Sequence, residues 1–228
     1  MILKKFKLTL NKFHKVMSST LANSTTLTFL HVGSGTKQKN QTTPEFNTEK
    51  WIETRLDVDP QVKPDIVGSM VSMSNIKDGS MNAIFSSHNI EHLYPHEVPI
   101  ALSEFRRVLK PDGFVVLTCP DLQSVCAAIA DDKLTEPLYT SPAGPISPVD
   151  IVFGYRAALA AGNTFMAHRC GFTQKVLVGQ FRAAGFLSLA SVRRHHPYYD
   201  IWAIASLAAI TEQEMQDLVK LHLPVKSA

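Results

Sequence analysis

The sequence predicts an α/β domain: a mostly parallel sheet with helices on both faces, closed by an antiparallel β-hairpin. Three observations carry that expectation. The first is the run Leu30-His31-Val32-Gly33-Ser34-Gly35, in which a strand-like apolar stretch stops at two glycines one residue apart. The second is the succession of short apolar runs down to Cys119, separated by polar connections and by one helical pattern. The third lies near the far end. Residues 186–194 and 199–207 are both β-rich, and only His195-His196-Pro197-Tyr198 separates them. That gap is too short for a helical crossover, so the two strands must pair antiparallel.

Composition narrows the class. At 228 residues the chain is long enough for one sizeable α/β domain, and 45% hydrophobic with 19% charged residues excludes a chain disordered by composition. No apolar run reaches the ~18 residues that a bilayer span needs. The net charge is +3, and its distribution matters more than its size. No Asp or Glu precedes Glu45, whereas Lys4, Lys5, Lys7, Lys12 and Lys15 crowd the start. Residues 1–25 therefore read as a basic N-terminal extension, expected to lie on the domain as a first helix or edge element; the other readings are an arm for a membrane surface or a partner protein, and a transit-like peptide. Residues 26–228 read as a single domain with a Pro-rich insertion at about 131–171. The later charges are mixed, so no nucleic-acid groove is expected. Cys119, Cys126 and Cys170 are an odd set without metal-ligand spacing, which fits a reducing compartment; with no secretory-type leader evident, the expected location is cytoplasmic.

Residues 26–32 form the first predicted strand, and Gly33 and Gly35 let the backbone turn sharply and approach a ligand. Residues 36–50 are polar and broken by Pro44, with no period that supports a helix. A second strand over 51–58 ends in Asp57, about 24 residues after Gly33. That is close to the ~20 at which a carboxylate closing the second strand meets a ribose diol. Residues 65–70 and 81–87 read as third and fourth strands, the fourth halting at His88-Asn89-Ile90-Glu91-His92-Leu93. Residues 95–110 carry Val98, Leu102, Phe105, Val108 and Leu109 at helical spacing, with Pro111-Asp112-Gly113 as the stop, and 114–119 is a fully buried strand. Residues 122–130 predict a helix. Pro137, Pro142, Pro145 and Pro148 crowd 134–149 too closely for regular structure and suggest a lid or binding loop. A helix over 173–184 ends at Gly185, and a last helix over 211–221 opens on a capping box, Thr211 with Glu214.

Taken together, the glycine turn, the acidic strand end, the segment Ser86-Ser87-His88-Asn89-Ile90-Glu91-His92-Leu93, the run Arg106-Arg107-Val108-Leu109-Lys110-Pro111-Asp112-Gly113 and the closing hairpin resemble a class I S-adenosylmethionine-dependent methyltransferase. The similarity is greatest to the small-molecule type 11 branch and covers residues 26–120 well. It implies a Rossmann-like seven-stranded sheet, S-adenosylmethionine as cofactor, and methyl transfer to a small-molecule acceptor. It also implies that Gly33 and Gly35 lie beside the methionine part, and that His31 and Ser34 of the same motif bind the cofactor with them. By the same resemblance Asp57 holds the ribose hydroxyls, Val58 packs on the adenine, Ser69 and Met70 flank the adenine edge, and Ser87 and His88 line the wall near the sulfonium. Three positions depart from the family pattern: His31 replaces an acidic residue, Lys37 a third glycine, and Ser69 an Asp.

Methyl transfer from a sulfonium is an in-line displacement that needs alignment, desolvation and at times a base. His88, His92 and His168 are candidate bases because imidazole titrates near the working pH. Of these, His88 at a strand end and His168 beyond the insertion are the expected catalytic residues. His168 and Arg169 also suit an anionic acceptor. The pair His195-His196 has no third ligand at suitable spacing, so no metal site is expected there. Two other classes remain open at this level. A nicotinamide oxidoreductase shares the glycine turn and acidic strand end, and a non-catalytic S-adenosylmethionine-binding protein would share the whole fold.

Overall fold

A computed structural model describes residues 26–224; the basic extension at 1–25 lies outside them. A seven-stranded sheet organises the chain, in the order β3-β2-β1-β4-β5-β9-β8. Its strands are β1 (Leu27–Val32), β2 (Trp51–Asp57), β3 (Ile66–Val67), β4 (Met81–Ser87), β5 (Leu109–Pro120), β8 (Ser188–Arg194) and β9 (Asp200–Ser206). The first five run parallel, and β9 is antiparallel to both β5 and β8. The helices are α1 (Val98–Val108), α2 (Leu122–Ala130), α3 (Pro148–Phe153), α4 (Arg156–Ala160), α5 (Gln174–Ala183) and α6 (Glu212–His222). The Rossmann-like seven-stranded expectation is borne out, closing hairpin included.

Alternation along the strands sorts side chains onto two faces. Leu30, Val32, Ile84 and Val115 pack with Leu102 and Phe105 of α1 and Leu177 and Phe181 of α5. On the other face Phe29, Phe85, Phe114 and Val116 meet Met215 and Leu218 of α6 and Phe46 from the irregular 36–50 segment. That segment holds one short 3-10 turn, Lys39–Gln41, as its missing apolar period predicts. Aromatic stacking takes the place of a helix there. Phe46 lies 4.4 Å from the Phe29 ring and 4.9 Å from Trp51, and the buried His222 ring lies 4.4 Å from Phe46 with its Nδ1 2.9 Å from Thr43 Oγ1.

Two expectations change. Helix α1 ends at Val108, and Pro111-Asp112-Gly113 lies inside β5 instead of terminating a helix. Pairing between β4 and β5 jumps from Met81 with Leu109 to Ala83 with Phe114, so the extra residues are absorbed as a bulge. The Pro-rich insertion is also more regular than its prolines suggest. A small hairpin forms from β6 (Tyr139–Ser141) and β7 (Gly144–Ile146), and α3 follows it. Pro148 opens α3 at its first position, where a missing N–H costs nothing, and Ser147 with Asp150 completes a capping box. Ile146 and Ile151 pack on Val125 of α2, which seats the insertion over the carboxyl ends of the strands. Helix α6 begins with the Thr211 and Glu214 capping box that the sequence specifies.

Candidate functional site

In-register pairing brings the carboxyl ends of β1, β2 and β4 level, with Val32 opposite both Leu56 and Ser86. The residues that follow, Gly33, Asp57 and Ser87, therefore share one edge of the sheet. There they line a cavity of about 540 Å³, a size suited to a nucleoside-type ligand. Its walls include Gly33, Ser34, Gly35, Asp57, Val58, Ser69, Met70, Ser87 and His88 of the residues expected from the sequence. His31 is the exception. It is 1% exposed, its Nδ1 stands 2.7 Å from Glu53 Oε1, and it does not line the cavity. Strand alternation turns it onto the Phe85 side of the sheet, where its ring lies 5.2 Å from Phe85. Placing His31 in contact with cofactor is thus corrected: the ring pairs with β2 and anchors the strand behind the turn.

The glycine turn is fixed from three sides. Gly33 and Gly35 have φ of +63° and +54°, the left-handed region that glycine adopts without cost. The Gly35 N–H donates to Asp57 Oδ2 at 2.7 Å, and Asp59 N–H donates to Asp57 Oδ1 at 2.9 Å. Each carboxylate oxygen keeps lone pairs that a diol can use. Arg55, beneath the turn, donates from Nη2 to Gly35 O, Val62 O and Lys63 O. Asn89 closes the third side: its Nδ2 donates to Val32 O, Gly33 O and Ser87 O at 3.1, 3.1 and 2.9 Å. A Cβ built on Gly33 would stand 1.9 Å from Asn89 Oδ1, whereas one on Gly35 meets nothing within 4 Å. The space above Gly35 is open to a ligand, and that above Gly33 is filled by Asn89. Sequence reasoning missed Arg55 and Asn89, because each acts through backbone carbonyls that only the folded turn brings into reach.

The other end of the cavity is built from histidines. His88 holds a left-handed φ of +55°, donates its N–H to Thr118 O, and lines both the large cavity and a smaller one of about 140 Å³. His92 also lines both. His168 lines only the smaller cavity, so the large one does not bring the two expected bases together. Arg169, Phe165 and Met166 reach the large cavity from the insertion. Arg169 donates from Nη1 to His92 O and stacks on Tyr94 at 4.8 Å. Glu91, whose position at the start of a helical turn suggests no more than a cap carboxylate, is fully buried at the smaller cavity, with His88 Nδ1 3.5 Å from its Oε1. Burial opposes its ionisation, yet the imidazoles of His88, His92 and His168 outweigh that and hold its pKa below the usual carboxylate value. Burial also pushes the His168 pKa down. No helix among the described residues is long and apolar enough to cross a membrane.

Residues 30–117 match the family model of a methyltransferase domain. No curated protein matches the sequence. Among solved structures, a protein from Pyrococcus horikoshii OT3 aligns with a TM-score of 0.55 at 11% identity, covering 88% of this chain and 90% of that one. The Burkholderia thailandensis 1,6-didemethyltoxoflavin-N1-methyltransferase, with bound 1,6-didemethyltoxoflavin and S-adenosylhomocysteine, aligns at 0.50 and 13% identity, covering 78% and 70%. The CMeT domain of citrinin polyketide synthase aligns at 0.51 and 14% identity over 82% of this chain; the chain spans about half, 48%, of that structure. These likenesses, at 11–14% identity, bear on the fold alone.

Proposed function

We propose that this chain is a class I S-adenosylmethionine-dependent methyltransferase that methylates a small-molecule acceptor in the cytoplasm, a reading supported by its fold and by the match over residues 30–117. One observation carries the reading: a single cavity has a glycine turn and a strand-end carboxylate at one end and an imidazole on a strained backbone at the other.

The residues fit the cofactor. The open space above Gly35 accepts the methionine part, and Asp57 presents unused lone pairs to the ribose diol. Val58 is 41% exposed at the cavity wall, an apolar surface for the adenine, with Ser69 and Met70 at its edge. Bound there, the cofactor supplies an electrophilic methyl on sulfur. The protein's share is to hold the acceptor in line, exclude water and take up its proton. His88 reaches both cavities and is the group placed to accept that proton. An anionic acceptor is favoured by Lys37 and Arg169, which line the same space. The three thiols, none in a disulfide, suit a reducing compartment.

Calorimetry with S-adenosylmethionine, S-adenosylhomocysteine and NAD in parallel tests this, followed by an acceptor screen that reads S-adenosylhomocysteine release. Binding of the two sulfur nucleosides and not NAD is expected. Binding of NAD alone overturns the reading, and cofactor binding without turnover on any acceptor reduces it to a binding protein.

A further inference from the structure

Buried at the floor of the smaller cavity, Glu91 is an anomaly. Its side chain is 2% accessible, and neither carboxylate oxygen accepts a well-formed hydrogen bond: the nearest imidazole nitrogen, His88 Nδ1, stands off at 3.5 Å from Oε1. Buried polar groups are almost always satisfied, so an orphaned carboxylate calls for a partner that the protein does not itself supply.

Its neighbours indicate which partner. Glu91, His92 and His168 each present a ligand atom, and the three atoms lie within 4.8 Å of one another. Both histidines are oriented from behind. His92 Nδ1 lies 3.0 Å from Ala167 O and His168 Nδ1 lies 2.6 Å from Ile151 O. A carbonyl only accepts, so Nδ1 carries the proton in each ring, and each Nε2 is left with its lone pair free. A histidine locked by a backbone carbonyl on one nitrogen, with the other exposed to the site, is the arrangement found behind metal ligands. The two rings stand 4.8 Å apart at 73°, and the Glu91 carbonyl accepts from Arg169 and Cys170 N–H, which ties the end of the insertion to the same spot.

We propose that Glu91, His92 and His168 bind one borderline divalent cation of the zinc class. Two imidazoles and one carboxylate suit zinc, cobalt or iron(II), whereas magnesium and calcium prefer all-oxygen sets. Three protein ligands leave a coordination position open. His92 belongs to both cavities, so that position is reached from the side where an acceptor would enter. An acceptor hydroxyl or amine bound there would lose its proton more readily and become the better nucleophile. That last role rests on the methyl-transfer reading; the cation site itself does not.

The test uses the tag-free full chain, stripped with chelator. Titration with Zn²⁺ by calorimetry, elemental analysis after dialysis, and the visible spectrum of the Co²⁺ form should show one equivalent bound through nitrogen ligands. Glu91→Gln and His168→Asn should each weaken Zn²⁺ binding by about 100-fold or more, a larger loss than outer-sphere changes cause. His195→Ala, at a residue that lines neither cavity, should leave it unchanged. S-adenosylmethionine binding to each variant reports that the fold survives, and Zn²⁺ should raise the thermal midpoint of the native chain but not of the variants. No cation bound by the native chain, or the same binding in all variants, overturns the proposal. Cation binding without methyl transfer upholds the site and sinks only its catalytic role.

Discussion

At the glycine end of the large cavity the lining is backbone and short side chains, held by groups that all lie within about thirty residues of one another, apart from Asn89. At the histidine end the lining is imidazole and arginine, and the contacts that set it join residues 88–92 to 167–170 across the whole insertion. The first end is preorganised by turn chemistry, and every polar group named there has a partner. The second is preorganised by packing, and it leaves a buried carboxylate without one. The contrast teaches that one end of the cavity is fixed by local turn chemistry, whereas the other is completed by residues that the insertion brings back onto the sheet edge. Asn89 joins the two, since it directly follows His88 and holds the glycine turn.

That contrast can be broken, and the largest effect is expected at Gly33. Gly33→Ala puts a Cβ into the Asn89 amide at a left-handed φ, which costs the three Asn89 hydrogen bonds and the strain. The sum is about 3–4 kcal/mol, seen as loss of S-adenosylmethionine binding in calorimetry. Adding Asn89→Gly removes the obstacle, and recovery of part of the loss in the double variant identifies the clash as the cause.

A second effect concerns the 36–50 segment that follows the turn. Burial holds the His222 pKa down at about 4 against an ordinary 6.5. The ring is neutral in the folded protein, and the unfolded chain takes up a proton first as pH falls. Its contribution is therefore complete above pH 6.5 and is lost as pH drops from 6.5 through 4, about 2–3 kcal/mol in all. Urea midpoints at pH 7, 5.5 and 4.5 measure it, and His222→Asn should flatten that slope. An unchanged slope would remove His222 as its source.

Next in size is Asp57→Ala, which should weaken cofactor binding by about 1.5–3 kcal/mol through loss of charge-assisted pairing. An unaltered dissociation constant would take Asp57 out of the site. The smallest effect is expected at Gly35→Ala, about 1 kcal/mol of backbone strain in the thermal midpoint, because a Cβ there meets nothing. A cofactor-binding loss well beyond that figure would show that the ligand occupies the space above Gly35.

Much of the fold was legible in the residues themselves. Strands β1, β2 and β4, the helices α2 and α6 and the closing hairpin are written in patterns that span only a few positions: alternation, a capping box, a four-residue gap. The glycine turn and Asp57 were legible for the same reason, since left-handed glycines and a strand-end carboxylate act where they stand. The end of α1 was misread because Pro111 and Gly113 read as a stop, whereas pairing with β4 draws them into a bulged strand. The prolines of the insertion were misread because Pro148 is harmless at a helix start.

By itself the sequence determined the parallel strands, their order along the chain and the glycine turn after β1, since short-range sterics and hydrophobic period decide these. Only the tertiary structure decided that His31 faces Glu53 instead of the cavity. It alone decided that Asn89 latches the turn and that Glu91 is buried beside His92 and His168. The physical reason is separation: a histidine 77 positions from its carboxylate neighbour carries no local signal of that neighbour, and the contact exists only once the core has packed the insertion back onto the sheet edge.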